Sequence, residues 1–242
     1  MSSLLPIGGT IRLNPSAGGA ATVVPLAEGG FAAVYRATVG PDVFTLYDDN
    51  FQQVGDETFI TSDDLFAPQA AALSSGQFVV AWLDQDQTIQ ASIYNPDGSQ
   101  ATGPVTLASP TDPAVGLSPP RIVGNAFGGF TAIWQDKATI GGVPGSVIIQ
   151  SYDSDGNLVG DSIAVAPPTA NPPVPISISD FRIAMLGDGT TVVVAQVLIN
   201  GVESIMYSVN GDSLISLAGG DPNYLYMHGL LFRALGEGSI SY

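Results

Sequence analysis

The sequence has no cysteine, one histidine and one lysine, Lys137. Without cysteine there are no disulfides and no thiol redox chemistry, which is compatible with bacterial secretion. Basic residues are scarce: 6 against 22 acidic ones, for a net charge of −16. Phosphate contacts need Lys and Arg, so this balance argues against nucleic-acid partners. It equally argues against anionic membrane surfaces. No apolar run reaches the ~20 residues of a spanning helix, so no membrane insertion is expected. Met1 to Pro6 lacks the charged and apolar regions of a secretory signal, so an extracellular or cell-surface location would need another export route or prior removal of the signal. No sustained 3.6-residue stripe is present, and 18 prolines with 29 glycines argue against long helices.

What is present is a repeat. A glycine turn followed by an apolar strand recurs at Gly29-Gly30-Phe31, Gly76-Gln77-Phe78, Gly128-Gly129-Phe130 and, more loosely, Gly187-Asp188-Gly189. A fifth copy starts at Gly236. A tyrosine and a polar turn follow each of the first four, at Tyr47, Tyr94, Tyr152 and Tyr207. Asp-Gly and Asn-Gly turns between apolar runs are hairpin signals. Each unit therefore reads as four strands: a short strand A, a nearly continuous apolar strand B after the glycine turn, a strand C ending at the tyrosine, and a strand D after the polar turn. The continuous apolar character of strand B predicts burial on both faces. A four-stranded unit of about 40–50 residues is a propeller blade. A pair of Ig-like sandwiches should instead repeat at roughly 100 residues.

The predicted fold is all-β, a single β-propeller-like domain over 1–242. Four recognisable blades span approximately 20–65, 66–110, 118–167 and 177–219. A partial blade over 223–242 plus 4–15 would be closed by the N-terminal strand, because Ile7 to Pro15 resembles the strand D at Val159 to Pro167. Either the chain is a piece of something longer, or the open blade is completed by another chain, such as a second copy, through strand addition.

The unit Gly-Gly-Phe-aliphatic-aliphatic-Ala-Trp, followed by Ile-x-Gln-x-Tyr-Asp-x-Asp-Gly-x-x-Val-Gly, resembles the propeller-like repeats of large secreted bacterial surface proteins. These often accompany RTX-type calcium-binding repeats and type I secretion. The match is strongest over Gly128 to Val165, and the RTX nonapeptide itself is absent. The resemblance implies a non-catalytic extracellular adhesive, scaffolding or self-assembling module, with surface glycans or other surface proteins as partners. The alternatives are a lectin-like propeller and a propeller glycosidase or lyase.

Four groups of residues stand out as site candidates. Counting back seven residues from the glycine turns reaches Thr22, Gln69, Arg121 and Arg182, and Arg233 lies five before Gly238. Strand A of a propeller lines the central channel. Gln69 and the three arginines would then form a polar channel mouth able to hold an anion or a sugar carboxylate. Pairing of the arginines with acids such as Asp180 is the plainer reading. Asp153, Asp155 and Asn157 have the alternating oxygens of a calcium-loop start but no distal glutamate, so calcium competes with a simple hairpin turn and no cofactor is required. Trp82 and Trp134 suit blade packing better than sugar stacking. His228 lacks any accompanying nucleophile motif. Asp84 and Asp86 read as a solvated hairpin.

Overall fold

A computed structural model describes residues 17–37, 41–61, 66, 68–125, 127–138, 145–166, 176–212 and 214–216. Among the described residues there is no helix, and sixteen strands form four antiparallel sheets of four. The first sheet contains β1 (Ala17–Pro25), β2 (Phe31–Ala37), β3 (Asp42–Tyr47) and β4 (Gln53–Thr61). The second contains β5 (Gln69–Ala72), β6 (Phe78–Leu83), β7 (Ile89–Tyr94) and β8 (Gln100–Ala108). The third contains β9 (Arg121–Gly124), β10 (Phe130–Gln135), β11 (Val147–Tyr152) and β12 (Leu158–Val165). The fourth contains β13 (Ile176–Met185), β14 (Thr191–Ile199), β15 (Val202–Val209) and β16 (Ile215–Ser216). Each sheet is a simple meander in chain order. These are the four expected blades. The partial blade over 223–242 and 4–15, with Arg233 and His228, lies outside the described residues.

The core sits between sheets. Along β6, Phe78, Val80 and Trp82 pack with Val34 and Phe44 of the first blade. The intervening Val79, Ala81 and Leu83 pack with Phe130, Ala132 and Trp134 of the third. Successive strand side chains point to opposite faces, so a blade with a neighbour on each side needs apolar residues at every position. That is why strand B shows no alternation. In the same way Ile133 faces the fourth blade, packed with Val193 and Ala195. Trp82 and Trp134 are buried in these junctions, one against the first blade and one against the second.

The tyrosine landmark has a structural partner in the first three blades. Tyr47, Tyr94 and Tyr152 lie directly across the ladder from Phe31, Phe78 and Phe130. Each pair is stacked, with ring centroids 5.0, 5.4 and 5.0 Å apart. Offset stacking of this kind adds roughly 0.5–1.5 kcal/mol beyond area burial. Tyr207 is different. It pairs with Val194, and the residue equivalent to the phenylalanine is Thr191. With no ring to stack on, the fourth blade has no reason to keep a tyrosine at the strand end.

Inner strands run side by side in the order β1, β5, β9, β13. Two glycines make the blade contacts possible. Gly156, in the turn joining β11 to β12, has φ +82°, and a Cβ there would come within 2.9 Å of Val105 on the preceding blade. Gly124 ends β9 where a Cβ would overlap the carbonyl oxygen of Ala72 on β5. No backbone atom can move aside cheaply there. Gly124→Ala should therefore cost about 2–3 kcal/mol in a urea titration, at the upper end for overpacking. Gly55→Ala is the control, since Gly55 has φ +75° but no neighbour near its Cβ position. It should cost only the ~1–2 kcal/mol of left-handed backbone.

Candidate functional site

The ladder registers place four polar residues at one level of the inner strands. Thr22 pairs with Val34, Gln69 with Ala81, Arg121 with Ile133 and Arg182 with Val194. Each partner stands three residues into its strand B, counted from Phe31, Phe78, Phe130 and Thr191. All four polar residues are half-buried. The counting from the glycine turns thus identifies a real structural equivalence. Arg121 and Gln69 open their strands, and the Gln69 amide donates to the Pro68 carbonyl at 3.3 Å.

The two arginines meet at a carboxylate. Asp180 lies at a bulge in β13, where the register shifts between Ile178 and Asp180. Bulges re-aim side chains. Its Oδ1 accepts from Arg121 Nη2 at 3.5 Å, from Arg182 Nη1 in a short contact, and from the Phe181 amide at 2.9 Å. The same Arg182 nitrogen donates to the Phe181 carbonyl at 2.9 Å. Each charged side chain is about a third exposed, 31% for both arginines and 33% for Asp180. So the paired arrangement is the one formed, yet the pairing is unequal: two guanidiniums share one carboxylate. Burial and then the positive charge of Arg182 press the Arg121 guanidinium below its ordinary value, and Asp180 opposes them. Arginine does not lose its proton in proteins. The mismatch is therefore a local excess of positive charge in a chain of net charge −16.

The hairpin turn at Asp153, Asp155 and Asn157 is closed by its own hydrogen bonds. Asp153 Oδ1 accepts from the Asp155 amide at 2.9 Å and the Asn157 amide at 2.8 Å, and Oδ2 accepts from the Asn157 side chain at 3.1 Å. These bonds, that from Asn157 first, hold the Asp153 carboxyl below its usual value. The same turn chemistry recurs at Asp48 and at Asp97. Among the described residues, no three His, Asp or Glu side chains are placed to hold a metal ion. Asp84 likewise accepts from the Thr88 amide and hydroxyl, closing the hairpin between β6 and β7.

Two buried acids, Asp42 and Asp136, lie outside the sequence-derived candidates. Asp42 is 1% exposed, and Arg36 Nε donates to its Oδ1 at 3.2 Å. Among the described residues its Oδ2 has no hydrogen-bond partner. Asp42 pairs across the ladder with Arg36 as Ile89 does with Leu83 and Val147 with Gln135. Ile89 and Val147 are fully buried. An acid at an apolar repeat position was the available signal. Burial raises the Asp42 carboxyl above its ordinary value, and Arg36 only partly offsets it.

No family model matches the chain, and no curated protein does. Solved structures do. An endo-arabinase from Bacteroides thetaiotaomicron aligns with a TM-score of 0.51 at 11% identity, over 82% of this chain and 80% of that one. A sialidase from Streptococcus pneumoniae aligns with a TM-score of 0.52 at 12% identity, over 77% of this chain but 30% of that one. An α-L-arabinanase from Penicillium chrysogenum aligns with a TM-score of 0.50 at 13% identity, over 82% of this chain and 66% of that one. At such identities the likeness establishes the β-propeller fold. It also corrects the expectation of a non-catalytic adhesive, scaffolding or self-assembling module. The three aligned propellers are named as an endo-arabinase, an α-L-arabinanase and a sialidase. The adhesive expectation rested on a repeat that any blade needs for packing.

The raised Asp42 carboxyl fixes the sign of a pH effect. The folded chain holds that proton more tightly than the unfolded one, so its stability contribution is present below the unfolded value and is lost as pH rises through the folded one. Asp42→Asn removes the titration. The variant should melt above the parent at pH 7 and lose that advantage as pH falls toward 4, read by differential scanning calorimetry.

Proposed function

We propose that this protein is a propeller glycosidase that engages a carboxylate-bearing sugar at the inner-strand level of Thr22, Gln69, Arg121 and Arg182. The observation that carries the reading is the unequal cluster: two guanidiniums on adjacent inner strands share the single carboxylate of Asp180. A sugar carboxylate arriving there would supply the missing negative charge, and the planar guanidinium fork suits it. The fold likeness to two arabinanases and a sialidase supports a carbohydrate substrate. An extracellular site of action belongs to the same proposal.

Glycoside cleavage ordinarily uses two carboxyl groups, one donating a proton and one acting as an anion. Asp180 faces two positive charges, which suits the anionic partner: the nucleophile, the base, or the stabiliser of developing positive charge on the sugar. Arg121 and Arg182 would hold the substrate and set the position of Asp180. A second reading is binding without cleavage. It is favoured by one fact: among the described residues of β1, β5, β9 and β13, Asp180 is the sole carboxylate.

The test is release of reducing sugar from polygalacturonate, sialyllactose and arabinan. Turnover of an acidic substrate is expected, falling about a hundredfold or more in Asp180→Asn. Arg121→Ala with Arg182→Ala should weaken acidic substrates about tenfold or more, with the melting temperature nearly unchanged. Binding of these acidic glycans without any product would support the second reading. Neither binding nor turnover of the acidic glycans would defeat both.

A further inference from the structure

The four glycine turns between strands A and B are closed by the same pair of backbone bonds. The amides of Leu26, Leu73, Asn125 and Leu186 donate to the carbonyls of Gly30, Gln77, Gly129 and Thr190. The amides of Gly29, Gly76, Gly128 and Gly189 donate back to the carbonyls of Leu26, Leu73, Asn125 and Leu186. The turns can therefore be compared residue for residue. Three of them begin with leucine and carry a polar residue before the glycine: Glu28, Ser75 and Asp188. The third reverses the pattern, with Asn125 first and Phe127 before the glycine.

The third turn buries its polar residue and exposes its apolar one. Asn125 is 7% exposed, and Phe127, at 88%, is the most exposed large hydrophobic among the described residues. A ring this exposed buries little surface for the fold, and three equivalent turns manage without one. Asn125 makes the turn rigid. Its Oδ1 accepts from the amides of Phe127 and Gly129, both at 3.0 Å, and its Nδ2 donates to the Tyr152 carbonyl at 3.4 Å. The ring is thus carried on a backbone pinned by three side-chain bonds, the pre-organisation a contact residue needs.

Phe127 stands at the edge of a cleft of about 230 Å³ between the third and fourth blades. Asn125, Tyr152, Asp153, Met185 and Thr191 also line it. A carboxylate has about four lone-pair sites, and the turn uses three of those on Asp153, leaving one on Oδ2. The cleft therefore combines an exposed aromatic face, an apolar methionine, and hydroxyl and carboxylate groups that accept hydrogen bonds. The ionised Asp153 repels a second carboxylate and attracts hydroxyl donors. The volume is below the ~300 Å³ of a drug-sized pocket and suits one sugar ring.

We infer that this cleft is a binding site for a neutral sugar ring, stacked on Phe127 with a hydroxyl donated to Asp153. It is separate from the channel cluster. Arg121 and Asn125 stand four positions apart along an extended strand, about 13 Å, at opposite ends of β9. The two sites also want opposite ligands, an anionic sugar at the arginines and a neutral one here. The inference goes beyond the channel reading, and either can fail alone.

Calorimetry and saturation-transfer NMR with the methyl glycosides of glucose, galactose, mannose, arabinose and N-acetylglucosamine test it on the whole chain. At least one glycoside should bind with a Kd of about 1–10 mM. Phe127→Ala should weaken it about tenfold or more, Phe127→Tyr should retain it, and Phe127→Glu, the residue of the first turn, should abolish it. An 88%-exposed ring leaves the fold intact on removal, which a melting curve checks. Arg121→Ala with Arg182→Ala should leave this binding unchanged. The inference is overturned if no glycoside in the panel binds at about 50 mM, if Phe127→Ala binds like the parent, or if the arginine variant loses binding.

Discussion

The stack of a phenylalanine at the head of strand B on a tyrosine at the end of strand C sets the register of the first three blades. With strand B fixed against strand C, the short glycine turn fixes strand A against strand B. The position of every inner-strand side chain then follows from the aromatic pair. Tyr152 extends the same constraint between blades, because its hydroxyl donates to the Leu107 carbonyl at 2.9 Å at the end of β8. Burial pushes that hydroxyl's pKa well above its ordinary value, so it stays a donor. The fourth blade lacks the ring on strand B, and its strand C pairs in a different relation to its tyrosine.

The local charge around Arg121 and Arg182 gains its meaning from the rest of the molecule. Among the described residues several acids sit in turns, where their carboxylates accept backbone amides, as Asp48, Asp97, Asp153 and Asp188 do. They place negative charge away from the inner strands β1, β5, β9 and β13, whose described residues include one acid, Asp180. The two arginines on β9 and β13 are then an island of opposite sign. Under the proposed function, that island would be the local attraction for an anionic ligand on an otherwise repelling surface.

Much of this was legible in the sequence because the repeat is built from parts of fixed length. A four-residue turn and an uninterrupted antiparallel ladder turn a count of seven residues into a spatial level, and so Thr22, Gln69, Arg121 and Arg182 could be grouped. Asp180 could be named as a partner but not placed, since a bulge of one residue decides where it points. Phe127 sat in the most regular motif of the chain and was passed over. Its exposure depends on a turn whose inward position had been given to Asn125. Asp42 was hidden for the opposite reason: its neighbours across the other blades are apolar, and only the aligned ladders reveal that. The function expected from the repeat failed because the repeated residues are those that pack blades together, and packing is common to propellers of any activity.

Two-sided burial of strand B also bears on how the chain is made. When β6 leaves the ribosome, Phe78, Val80 and Trp82 can settle at once onto the first blade. Val79, Ala81 and Leu83 must wait for Phe130 and Trp134, some fifty residues further along the chain. At a synthesis rate of about 5–20 residues per second, that face stays bare for several seconds. Each blade is thus born half covered and is finished by its successor. The net charge of −16 opposes association of such unfinished faces in the meantime.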